Sequence, residues 1–197
     1  MISDKFVILG ATLHLIGSST YILHTIQGKT KPNRVSWFMW AFAAFVAFGA
    51  ELHEGVGLQA LMTFMVGFSP FLIFLASFVN RRAYWKITKF DIICGVLSLL
   101  GLLLWFVTKE GSAAIAFAIA GDTFAGIPTF KKAFSHPETE SYFLFLMTAI
   151  YAGITLLTIE HWDFATYAFP IYIFVATIYL FVTVKFRLGP RLMRHTL

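Results

Sequence analysis

The stretch Lys31-Pro32-Asn33-Arg34-Val35-Ser36-Trp37-Phe38 returns 105 positions later as His136-Pro137-Glu138-Thr139-Glu140-Ser141-Tyr142-Phe143. Pro32 meets Pro137, Ser36 meets Ser141, and two aromatic residues follow each serine. The same shift sets Gly17 on Asp122 and Ser18 on Thr123. A shift of 100 sets Pro70, Phe74, Ala76 and Ser77 on Pro170, Phe174, Ala176 and Thr177. Prolines that match at both shifts mark an internal duplication rather than chance likeness between apolar segments.

The duplicated unit is membrane helix. Of 197 residues, 58% are hydrophobic and 13% charged, against about 25% charged in soluble domains, and the mean hydropathy is +0.77. These values exclude an ordinary soluble globule, a disordered chain, a collagen-like chain and a disulfide scaffold. Cys94 is the single cysteine, which excludes an internal disulfide and a cysteine-based metal site. Spanning the hydrocarbon core takes about 17–25 apolar residues, and seven stretches qualify: about 6–26, 35–50, 57–79, 90–108, 113–130, 142–159 and 165–185. The first keeps its full length and ends without a small-residue cleavage site, so it reads as a retained helix.

Charge placement supports this count. With seven spans, Lys29, Lys31, Arg34, Arg81, Arg82, Lys86, Lys89, Lys131, Lys132, Lys185, Arg187, Arg191 and Arg194 all fall on one face, and Lys5 and Lys109 on the other. Basic residues favour the cytoplasmic side. The expectation is therefore a multi-pass protein of a plasma or inner membrane, with its N-terminus outside and its C-terminus cytoplasmic. The net charge of +5 fits contact with anionic lipid head groups, with no nucleic-acid partner implied.

The expected architecture is an all-α membrane protein of seven transmembrane helices. Two parallel three-helix bundles, 6–80 and 113–186, are joined by a linker helix at 88–109 and followed by a basic cytoplasmic tail, 187–197. Three helices would invert the second copy; the fourth span restores its orientation. Parallel repeats of this kind build carriers whose substrate sits near the midplane between the copies.

The run Ile127-Pro128-Thr129-Phe130-Lys131-Lys132-Ala133-Phe134, followed by Thr139-Glu140-Ser141, resembles the SWEET and PQ-loop carriers. It is similar to their proline-threonine-phenylalanine helix end, basic loop and hydroxyl-rich entry to the next helix. Their 3+1+3 plan covers the whole chain. Pro128 stands where the family has a proline, whereas Leu23 occupies the repeat-equivalent place. The chain's asparagines, Asn33 and Asn80, lie at membrane edges rather than where the family binds sugar. Trp37 and Trp40 resemble the tryptophan-rich second helix of Pnu-type vitamin carriers. The resemblance implies a carrier of a sugar, a vitamin or nucleoside, or an amino acid. Its alternative is a receptor or assembly protein that binds a peptide or partner on the same fold.

A carboxylate within a membrane span costs several kcal/mol unless paired, hydrated or protonated, so Asp122 is the first candidate for substrate binding or proton coupling. A structural hydrogen bond is its plainer role. His14, Ser18 and Tyr21 share one helix face by their i, i+4, i+7 spacing, and His14 is a candidate partner for Asp122. Thr123 joins the set, with Trp40, Phe145, Tyr151, Tyr167 and Tyr172 as aromatics able to line a cavity. Pro70 and Pro170 read as hinges, and the resemblance adds Pro128. Trp37, Trp85 and Trp162 read as interfacial anchors. Glu51, His53 and Glu54, like Glu160, His161 and Asp163, read as solvated outer turns rather than a cation site. No hydrolase, zincin or phosphate-loop motif is present, and the seventh span lacks a central lysine for retinal. The expectation is a non-enzyme without cofactor or metal. Its partners would be lipid, a small solute and, if coupled, protons, and it would act as a monomer or homo-oligomer.

Overall fold

The computed structural model describes residues 2–108 and 111–194. Lys109, counted above on the sparse side of the charge split, and the last three residues of the tail lie outside them. The described chain is helical, with no strand. The helices are α1 (Phe6–Ile26), α2 (Arg34–His53), α3 (Ala60–Ala76), α4 (Lys89–Thr108), α5 (Gly111–Ser135), α6 (Tyr142–Thr158), α7 (Phe164–Phe186) and a short α8 (Leu188–Arg194).

Four of them, α1, α2, α5 and α7, are long and apolar enough to cross a membrane. The apolar α3 and α6 have 17 residues each, about 26 Å at 1.5 Å per residue. Large apolar side chains such as Ile16, Leu23, Ile93 and Val175 stand exposed, as a lipid-facing surface requires. The chain is thus a multi-pass helical membrane protein.

Helix ends follow local chemistry. The Asn33 side chain accepts hydrogen bonds from the Val35 and Ser36 amides and starts α2, and Asp163 accepts from the Thr166 amide at the start of α7. The Arg34 guanidinium donates to the Ser77 hydroxyl and carbonyl at 3.0 and 2.7 Å, closing the end of α3.

Between lipid-exposed helices no hydrophobic force drives association, so close packing must. Small residues supply it. A Cβ added to Gly10 would run into the Tyr151 ring, and one on Gly17 would lie 2.9 Å from Met147 Cβ. Both glycines sit where α1 meets α6. Along α2, Ala43, Ala44 and Ala47 are fully buried.

The helices pack in a ring. α3 lies against both α1 and α2, α7 against both α5 and α6, while α1 seats on α6 and α2 on α5. Replacing α1, α2 and α3 by α5, α6 and α7 turns each of these pairings into another of the set. α4 lies outside the ring against α5 and α2. One end of the ring gathers Lys31, Arg34, Asn80, Asp91, Lys132 and Glu140 and is called the basic end; the other gathers Glu51, Gln59, Thr158 and Asp163 and is called the acidic end.

Candidate functional site

At the centre of the ring is a cavity of about 60 Å³, walled by helices of both halves. That is room for about four to six waters, or about 120–180 Å³ as liquid. It sits between midplane and basic end, because the acidic half is filled. There Val7, Ala11, Ala47, Ala114, Ala118 and Phe169 belong to one continuous core. The basic half holds two smaller clusters, one around Tyr21, Trp37, Ile73 and Leu144 and the other around Phe145, Leu180 and Val184. Trp40 packs against both of them and against the large core.

Asp122 lines the cavity from α5 and is 4% exposed. The Tyr172 hydroxyl donates to its Oδ2 at 2.7 Å. The Trp40 indole N–H donates to the Asp122 backbone carbonyl at 3.1 Å, which pins the ring of α2 beside the carboxylate. No lysine or arginine lines the cavity, and no cation pairs with Asp122 among the described residues.

His14 lines the cavity from α1 and is 2% exposed. Its Nδ1 is 3.0 Å from the Thr148 hydroxyl of α6, and its Nε2 is 2.9 Å from the Ser69 hydroxyl and 3.3 Å from the Met65 carbonyl of α3. Both ring nitrogens are occupied, so the expected His14–Asp122 pair does not form; each residue has its own partners in a shared cavity. Pro70 also lines the cavity. Lacking an N–H, it leaves the Val66 carbonyl without its helical donor, and Val66 is another wall residue.

The other candidates spread out. Ser18 is buried, but its hydroxyl donates to the His14 carbonyl at 2.8 Å on its own helix. Thr123 is exposed beside the Tyr172 hydroxyl, outside the cavity wall, and donates to the Ile119 carbonyl. Tyr151 is fully buried with its ring 5.7 Å from that of His14, and its hydroxyl has no partner among the described residues. Tyr167 stacks on Trp162 at 5.8 Å, away from the cavity. Phe145 does line it. Pro128 and Pro170 are buried inside α5 and α7.

Two readings need correction. Trp37 is no interfacial anchor: it is 2% exposed, lines the cavity, and packs between Tyr21 at 4.9 Å and Trp40 at 5.2 Å. Glu51 is not part of a solvated turn. It is 2% exposed and accepts a 2.8 Å hydrogen bond from Thr63, whereas His53 and Glu54 are solvent-facing. Among the described residues no group of three or more potential ligands could hold a metal ion.

A polar network at the basic end, outside the cavity wall, was not legible in the sequence. Lys132 Nζ pairs with Glu140 Oε1 at 2.5 Å, with side chains 1% and 0% exposed. Tyr21 donates to Glu140 Oε2 at 2.8 Å, and Lys132 also donates to the Lys31 carbonyl. The Lys31 amide donates to the Thr139 carbonyl at 3.0 Å. The two copies of the repeated stretch are thus laced to each other. Beside them, Asn33 donates to Asp91 at 3.0 Å.

No protein-family model matches the chain, nor does any curated protein or solved structure.

Proposed function

We propose that the protein is a carrier that moves a small polar solute across the membrane by alternating access, its two halves acting as SWEET-like three-helix bundles with α4 as linker. One observation carries the reading. A central cavity is walled by helices of both halves and holds a buried carboxylate with no cation partner among the described residues. The interchange of helix pairings between the halves supports it further, since two packings related in this way are what a rocking motion exchanges. Asp122 binds the solute or exchanges a proton with it. Pro70, Pro128 and Pro170 are the hinges. The basic end faces the cytoplasm, the side that lysines and arginines favour.

Thiol labelling tests the reading without knowledge of the solute. In a Cys94→Ala background, Thr177→Cys places the single thiol on the cavity wall. A membrane-impermeant thiosulfonate added to either face of sealed vesicles is expected to label it. Labelling from one face only would overturn alternating access and favour a receptor that binds without transport.

A further inference from the structure

The chemistry of the cavity names a class of ligand. We propose that it binds a small organic ammonium ion, its positive charge set between the Asp122 carboxylate and the aromatic faces of Trp40, Trp37 and Phe130. This inference rests on the cavity being a binding site and deepens the carrier reading above.

A carboxylate removed from water is neutralised either by a partner charge or by a proton, and a cation entering beside it takes the proton's place. Glu140, the comparable acid at the basic end, has a partner charge in Lys132; Asp122 has none among the described residues. Tyr172 occupies only Oδ2, so Oδ1 has no protein donor among them. His14 is not a substitute, because Thr148, Ser69 and Met65 take its nitrogens. The site therefore offers a ligand one acid, which ionises beside a cation, and no positive group.

The walls decide what kind of cation fits. A metal ion needs several oxygen ligands at short range, such as clustered carboxylates and carbonyls, and the cavity presents a single acid. Its larger surfaces are aromatic. Trp40 lies edge to face with Trp37 at 5.2 Å and tilted to Phe130 at 6.4 Å. Its N–H edge bonded to α5 holds the Trp40 ring on the cavity wall. Aromatic faces around an acid attract alkylated ammonium ions, which carry diffuse charge and shed water readily. The Val66 carbonyl freed by Pro70 adds an acceptor for an ammonium N–H or a hydroxyl on the ligand. A volume near that of four to six waters suits a compact ion rather than a hexose.

Choline and tetramethylammonium are the probes, with 3,3-dimethyl-1-butanol as the uncharged isostere of choline. Titration into the purified full-length protein in detergent is expected to show choline binding about tenfold or more tightly than the isostere. Asp122→Asn should erase the difference, and Trp40→Leu should shrink it while Trp40→Phe keeps most of it. Equal binding of choline and its isostere would overturn the proposal, as would no binding of either cation; the wild-type comparison stands even if a variant fails to fold. Cation failure together with two-sided labelling of Thr177→Cys would leave the carrier reading intact. Cation binding with one-sided labelling would support the site and overturn the carrier.

Discussion

The two ends of the ring are closed by different means. At the acidic end the seal is a broad core of alanines, Val7, Tyr151 and Phe169, with few polar links, such as Gln59 to the Thr158 carbonyl at 3.3 Å. At the basic end a few directional bonds lace loop to loop, centred on the buried Lys132–Glu140 pair. Dispersion in a tight core is a sum of many small contacts, each losing about a quarter to a half of its well once a gap of about 0.5–1 Å opens, so parting the helices must break them all. A buried ion pair costs several kcal/mol per ion to break while dry, and little once water solvates both ions. For the carrier cycle proposed above, the contrast marks the basic end as the one to open. A network of few bonds is released at once when water or a ligand's charge reaches it, whereas the core must be peeled apart.

The largest expected effect comes from breaking that network on one side only. Glu140→Ala strands Lys132 without a counter-ion and should cost about 3–5 kcal/mol, read as a lower melting temperature in detergent. The double variant Lys132→Met, Glu140→Leu should regain most of the loss, because it removes both charges. A double variant as unstable as the single one would show that hydrogen bonds rather than charge burial govern this end. At the other end, Gly10→Ala drives a methyl into Tyr151 and should cost about 1–3 kcal/mol, with Tyr151→Leu relieving it. If Gly10→Ala is silent, the acidic end is looser than its packing indicates. Tyr21→Phe removes one bond to Glu140 and should cost about 1.5–3 kcal/mol, while raising thiol labelling of Thr177→Cys from the basic side. Asn33→Ala removes the start of α2, about 1 kcal/mol in unfolding experiments.

What could be read from residues alone divides along physical lines. Helix positions and Asp122 were legible because both are signals of polarity against an apolar background. Pairings that depend on tertiary placement were not. The repeat set Thr123 at the depth of the cavity, but adjacent helical residues point about 100° apart, so Asp122 facing inward turns Thr123 out. Trp37 resembled an interfacial tryptophan because its position along the helix is near the end; only the packing of Tyr21 and Leu144 around it makes it interior. Lys132 was read as one more basic residue in a loop. Nothing local shows that Glu140, eight residues on, folds back beneath it.

That lysine has a further consequence, for biogenesis. While the chain is being inserted, α5 emerges before the segment that carries Glu140, so Lys132 is a bare cation that holds its end of the helix on one side of the bilayer. Once the next loop arrives, the same ammonium is neutralised and enclosed. In the orientation proposed above, one residue would serve first as a topological signal for the nascent helix and then as a buried fastener of the finished fold. A protein that lost Glu140 would keep its membrane orientation during synthesis and fail only afterwards, at assembly.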